Sequence, residues 1–119
     1  MENKMNELIA KASVLVEALP FIQKFRKSLV VIKCGGSIME DPELVKSAMC
    51  DVVLLEAIGI RPIVVHGGGK AISAELKRQE IPVKFVNGLR YTDERTIDIV
   101  DDVLHNNVNA DLLALGTAA

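Results

Sequence analysis

The sequence predicts an α/β fold built on a mainly parallel sheet, and three observations carry that expectation. Two short apolar runs rich in β-branched residues, 29–33 and 61–66, suit strands buried in a parallel sheet. A capped stretch with helical periodicity separates them. Each run ends in glycines, Gly35-Gly36 and Gly67-Gly68-Gly69. Strand, helix and strand make a βαβ unit, which closes right-handed in nearly all cases.

The elements follow in order. Residues 6–27 read as a helix, with Leu8, Ala12, Leu15, Leu19 and Ile22 at alternating spacings of four and three. That is the narrow stripe of a helix packing on a partner helix. Pro20 falls inside it and should kink it. The stripe has two readings: an amphipathic helix covering its own domain, or an oligomerisation arm. The run 29–33 is apolar up to Lys33, as expected of a central strand covered on both faces.

Asp41-Pro42-Glu43 opens the next helix, with Asp as N-cap, Pro at the first helical position and Glu in the first turn. Val45, Ala48, Val52 and Leu55 form its apolar face, and Gly59 closes it. After the second strand, a helix runs from Lys70 to about Gln79. An extended piece, 83–86, leads to the turn signal Asn87-Gly88. Thr92-Asp93 starts a last helix, with Ile97, Val100, Leu104 and Val108 on one face.

Composition bounds the function. A chain of 119 residues is one domain at most. Fourteen basic against sixteen acidic residues give a net charge of -2, which argues against a nucleic-acid binder. Charged residues at 25% argue against wholesale disorder. The apolar runs fall far short of a bilayer span, and the N-terminus lacks the apolar centre of a secretory signal. A cytoplasmic protein with no membrane partner is expected. Cys34 and Cys50 lack metal-ligand spacing and read as two small buried thiols.

In a parallel α/β sheet, ligands bind beyond the carboxyl ends of the strands. Both glycine runs fall there. The Gly67–Gly69 run lets backbone N–H groups approach an anion, at the positive N-terminus of the following helix. Lys33 adds a full charge nearby. A tight strand-to-helix turn without ligand is the plainer account of the same glycines. No Walker A loop fits, because Ala71 follows Gly69-Lys70, and no GxGxxG or GxSxG occurs. Arg90 could clamp a carboxylate with two parallel hydrogen bonds, or simply be solvated. His66 is expected as a satisfied structural histidine and His105 as a surface residue.

Three segments together carry a resemblance. Val31-Ile32-Lys33-Cys34-Gly35-Gly36, Val64-Val65-His66-Gly67-Gly68-Gly69 and Asn87-Gly88-Leu89-Arg90-Tyr91-Thr92-Asp93 resemble the acetylglutamate kinase branch of the amino acid kinase family. The first two are shared widely among related kinases, and the third is specific to that branch. The resemblance implies a three-layer αβα sandwich, truncated, with a kinked N-terminal helix at 1–27 and the substrate-binding part of the kinase domain at 28–119.

It also implies ATP-dependent phosphorylation of the side-chain carboxylate of N-acetyl-L-glutamate, in arginine biosynthesis, with Mg²⁺. By that resemblance Lys33 is catalytic, neutralising charge on the transferring phosphoryl group. Gly36 lies at the ATP phosphates, Gly68 and Gly69 hold substrate through the backbone, and Arg90 binds its α-carboxylate. No residue is assigned to a metal. The 1–27 helix resembles one that interlaces dimers into hexameric rings, so a homo-oligomer is expected. Cys34 stands where that subgroup commonly has an aromatic residue. Family chains are more than twice as long, so this chain alone is expected to be inactive. Another amino acid kinase, acting on glutamate or aspartate, and a non-catalytic substrate-binding module are the alternatives.

Overall fold

Asp41 starts the connection between the two main strands. Its carboxylate accepts hydrogen bonds from the Glu43 and Leu44 N–H groups at 3.0 and 3.2 Å, satisfying two donors that a helix start leaves unpaired. The helix it caps, α2 (Pro42–Ala57), ends at Gly59, whose φ of +90° only glycine adopts without strain. Gly59 N–H reaches Glu56 O and Ile60 N–H reaches Leu55 O, the paired bonds of a Schellman end. This computed structural model describes residues 2–119, with the side chains of Glu2 and Ser37 and the surroundings of Gly36 outside the described set.

The strands flanking α2 are β1 (Leu29–Cys34) and β2 (Arg61–His66). They pair in parallel, from Leu29↔Arg61 to Cys34↔His66, so the βαβ expectation holds. Burial alternates along both strands instead of running continuously. In this register Val30, Ile32, Cys34, Val64 and His66 share the covered face. Leu29, Val31, Lys33, Ile63 and Val65 share the other, where Leu29 is 59% and Val31 63% exposed. Strands covered on both faces were expected. Among the described residues, α2 packs on one face and the last helix lies on that same side across a small pocket, which leaves the alternate side chains open.

Helix α1 (Glu2–Phe25) precedes β1 and runs unbroken across Pro20. Its stripe is largely open, with Leu8 54% and Leu15 73% exposed. Lys27 ends it in a left-handed conformation and donates its N–H to Gly59 O. A short 3-10 turn (Gly36–Glu40) lies between β1 and α2. Helix α3 (Gly69–Arg78) follows β2. Glu80 closes α3 at a φ of +58°, and Ile81 N–H bonds Leu76 O. Ile81 and Leu76 are both buried, the apolar contact that accompanies this kind of helix end.

Strands β3 (Phe85–Val86) and β4 (Leu89–Arg90) form a hairpin. Its two central residues, Asn87 and Gly88, take φ of +50° and +80°, as a type I′ turn requires. Asp93 then caps α4 (Glu94–Asp102), accepting from Thr96 N–H at 2.9 Å. The Thr96 hydroxyl and N–H hold the Asp93 carboxyl below its usual range.

The last helical run departs most from expectation. Helix α4 passes into a π-helical segment (Val103–Asn109) and then into α5 (Ala110–Ala118). Val103, Val108 and Leu112 are buried, but Ile97, expected on the apolar face, is exposed. A regular helix would carry the face from Val103 through Asn107 and Asp111. The wider π turn absorbs one residue and brings Val108 and Leu112 inward instead. These side chains join Met49, Ile72, Leu76 and Ile81 in a core built between α2, α3 and the last helical run. Cys34 is buried as expected, but Cys50 is exposed, because α2 turns it away from Met49 and the core. No helix among the described residues is long and apolar enough to cross a membrane.

Candidate functional site

The carboxyl ends of β1 and β2 open on a cavity of about 510 Å³. Parallel pairing brings both glycine loops to this edge, with Gly67 N–H bonded to Cys34 O at 3.1 Å. Gly35, Gly67, Gly68 and Gly69 line the cavity, along with Met39, Ser73, Phe85 and Arg90. The hairpin closes one side of it, and that is how Arg90, twenty-one residues from Gly69, comes to touch the glycine loop.

The glycines differ in what they permit. A Cβ on Gly35, Gly67 or Gly69 would meet nothing within 4 Å. These positions leave open space where a ligand can approach the backbone. A Cβ on Gly68 would lie 2.6 Å from Leu104 Cδ2. Gly68 thus has a packing reason to lack a side chain: the π segment crosses close above it. The first turn of α3 leaves N–H groups without intrahelical acceptors at this wall.

Arg90 is half-buried and held by a closed set of hydrogen bonds. Its Nη2 donates to Gly69 O at 2.8 Å and to Ser73 Oγ at 2.7 Å. Ser73 Oγ in turn donates to Gly69 O at 2.9 Å. Arg90 Cζ lies 5.0 Å from the centre of the Phe85 ring, within cation–π range. Nη1 is buried and has no hydrogen-bond partner among the described residues. Such a donor costs about 1–3 kcal/mol when left unpaired. At the cavity mouth Lys70 Nζ and Glu40 Oε1 pair at 2.5 Å, joining the 3-10 turn to α3. Both are exposed, so this pair contributes about 1 kcal/mol at most.

Gly68, Gly69 and Arg90 are therefore gathered in one cavity. Lys33 is not part of its lining; it lies exposed on the open sheet face, beside Val65. Gly36 begins the 3-10 turn, and its surroundings lie outside the described residues. His66 points to the covered face, with Nδ1 3.2 Å from Gly67 O. His105 is exposed and paired with Asp101 at 2.9 Å. Sequence reasoning missed Ser73 and Phe85. Ser73 falls four residues after Gly69, on the same helix face, a spacing that signals contact with the loop carbonyl.

The chain is similar to several known proteins. Acetylglutamate kinase from Aquifex aeolicus (strain VF5) is 53% identical over 111 residues, covering 93% of this chain and 37% of that protein. The acetylglutamate kinase of Brachyspira hyodysenteriae is 54% identical over 96% of this chain and 39% of its own length. The chloroplastic enzyme of Arabidopsis thaliana is 50% identical, over 92% of this chain and 31% of its own. This chain thus spans well under half the length of these relatives. Among solved structures, N-acetylglutamate synthase from Neisseria gonorrhoeae, complexed with coenzyme A and N-acetyl-glutamate, has the same fold. It superposes at a TM-score of 0.72 and 23% identity, over 89% of this chain and 24% of that one. The protein smu.665 from Streptococcus mutans UA159 superposes at 0.68 with 28% identity, over 77% of this chain and 37% of that one. The profile of the Amino acid kinase family matches residues 28–119, and the chain belongs to that family.

Proposed function

We propose that the cavity binds N-acetyl-L-glutamate and that the chain serves ATP-dependent phosphorylation of its side-chain carboxylate, a step in arginine biosynthesis. The observation that carries this reading is the guanidinium of Arg90, half-buried and anchored to Gly69 and Ser73, at the wall of a glycine-lined cavity. A carboxylate entering there meets that positive charge beside the first turn of α3. The roughly 50% identity to acetylglutamate kinases supports the choice of substrate.

In this reading Arg90 holds the α-carboxylate, and the backbone at Gly68 and Gly69 holds the rest of the substrate. The side-chain carboxylate is already ionised near pH 7, so it needs no general base. The chain's task is positioning and positive charge. ATP supplies the phosphoryl group: a carboxylate oxygen bonds to the γ-phosphorus as the bond to ADP breaks. Gly36 would lie at the ATP phosphates and Lys33 would offset charge on the transferring group. Among the described residues, no three acidic, histidine or cysteine side chains are grouped to hold a metal ion. Mg²⁺ would arrive with the ATP phosphates. Residues 28–119 would form the substrate-binding part of a cytoplasmic kinase and 1–27 an oligomerisation arm, for which the open stripe of α1 is the support. A light-scattering mass equal to one chain would remove that arm.

A second reading, a binding module without turnover, is favoured by the position of Lys33 away from the cavity lining. Thermal unfolding of the chain with N-acetyl-L-glutamate, glutamate, aspartate or ADP tests the substrate. A ligand at a hundred times its Kd stabilises the folded state by about 2.7 kcal/mol. N-acetyl-L-glutamate is expected to raise Tm, and Arg90→Ala to abolish the rise. A rise with glutamate or aspartate alone moves the assignment to another amino acid kinase. No rise with any ligand overturns the binding role. Phosphate transfer by this chain with ATP would exclude the module.

A further inference from the structure

We propose that Ser73 is a positioning residue for Arg90, fixing its guanidinium to the glycine loop at the wall of the cavity that receives an anionic ligand. The inference deepens the proposed substrate reading and takes the ligand's carboxylate from it.

The hydrogen-bond inventory leads there. A guanidinium Nη carries two N–H donors. Nη2 donates to both Gly69 O and Ser73 Oγ, which are themselves hydrogen-bonded to each other and so act as one joint anchor. Ser73 spends its own proton on Gly69 O, so its lone pairs are free to accept from Arg90. The serine is thus oriented by the carbonyl it donates to, and its oxygen can only accept toward the arginine. The Phe85 ring, 5.0 Å from Cζ, supports the guanidinium on one side. Nη1 is buried with no partner among the described residues, so the orientation of the guanidinium rests on the Nη2 anchor.

Without Ser73 the Nη2 group keeps one acceptor instead of two. One hydrogen bond restrains position but leaves rotation about the Nε–Cζ bond less hindered. Ser73 therefore sets the orientation in which the arginine presents its charge to a carboxylate, beside the first turn of α3.

Two measurements on the same 119-residue chain test this separately. The first needs no ligand: ¹⁵N spectra of the Arg90 side chain at low temperature. Two resolved Nη signals are expected in the parent and in Ser73→Thr, which keeps the hydroxyl, and one averaged signal in Ser73→Ala. Averaged signals in the parent, or resolved signals in Ser73→Ala, overturn the proposal. The second is calorimetric titration with N-acetyl-L-glutamate. Ser73→Ala is expected to weaken Kd roughly tenfold, the order of one hydrogen bond to a charged group. Ser73→Thr should restore it, and the Tm of the unliganded variants should stay near the parent value. Equal Kd for parent and Ser73→Ala overturns the proposal. Resolved signals in the parent that merge in Ser73→Ala, with no binding by either, uphold the positioning of Arg90 and defeat only the choice of substrate.

Discussion

Alanine at Gly68 and alanine at Gly69 should have opposite consequences, although the residues are adjacent. At Gly68 the new Cβ falls 2.6 Å from Leu104 Cδ2 and 3.5 Å from Val108 Cγ2. Carbon atoms settle at about 3.5–4.0 Å, so the Leu104 methyl must retreat by roughly 1 Å. Leu104 packs against the core but ends in a movable methyl. The cost belongs in the lower part of the overpacking range, about 1–2 kcal/mol. At about 4 °C per kcal/mol for a chain of this size, Tm falls by about 4–8 °C. At Gly69 a Cβ meets nothing within 4 Å, and the position opens α3. There alanine costs nothing in packing and gains up to about 1 kcal/mol in helix propensity and unfolded-state entropy. Its methyl would instead crowd a ligand at this wall, so the Tm rise with N-acetyl-L-glutamate should shrink. Circular-dichroism melts with and without that ligand measure both effects. Equal Tm losses for the two variants, or a parent-like Tm for Gly68→Ala, would refute the argument.

Other expectations concern the frame around the site. Glu80 holds a left-handed conformation that costs an L-residue about 1–2 kcal/mol. After the added unfolded-state entropy of glycine, Glu80→Gly should gain about 0.5–1 kcal/mol, read as a higher urea midpoint at unchanged m. Deleting Asn106 should leave the core register intact, because Val103, Val108 and Leu112 then fall on one regular helical face. A cooperative melt near the parent Tm checks this, and collapse of the transition would contradict it. Inserting an alanine at the same place should rotate α5 by about 100° and abolish the cooperative melt. Glu75 is lowered from 4.5 to about 2, first by its hydrogen bond from Arg78 and then by that from Gln79. Its folded-state value is depressed, so its contribution is complete above 4.5 and fades as pH falls toward about 2. Stability of Glu75→Gln relative to the parent should converge across that acid window, and the difference above it should shrink with salt.

Much of the local structure was legible in the sequence because short-range chemistry decides it. Asp41-Pro42-Glu43 specifies a helix start through one carboxylate and one fixed φ, and Gly59 specifies its end through one positive φ. The β-branched runs 29–33 and 61–66 form the parallel pair, and the glycines at their ends meet at one edge. Gly68, Gly69 and Arg90 are singled out through the family resemblance, since the residues alone leave a ligand-free turn and a solvated arginine open. What faces what needed the tertiary structure. Ile97 fits a helical stripe, but the π segment shifts which residues turn inward, and packing against α2 and α3 rewards that shift. Lys33 looks adjacent to the glycines in sequence, yet strand alternation sends it to the open face. The contacts of Arg90 with Ser73 and Gly69 span seventeen and twenty-one residues. No local signal states such a contact, since it exists only once the hairpin has folded over the loop.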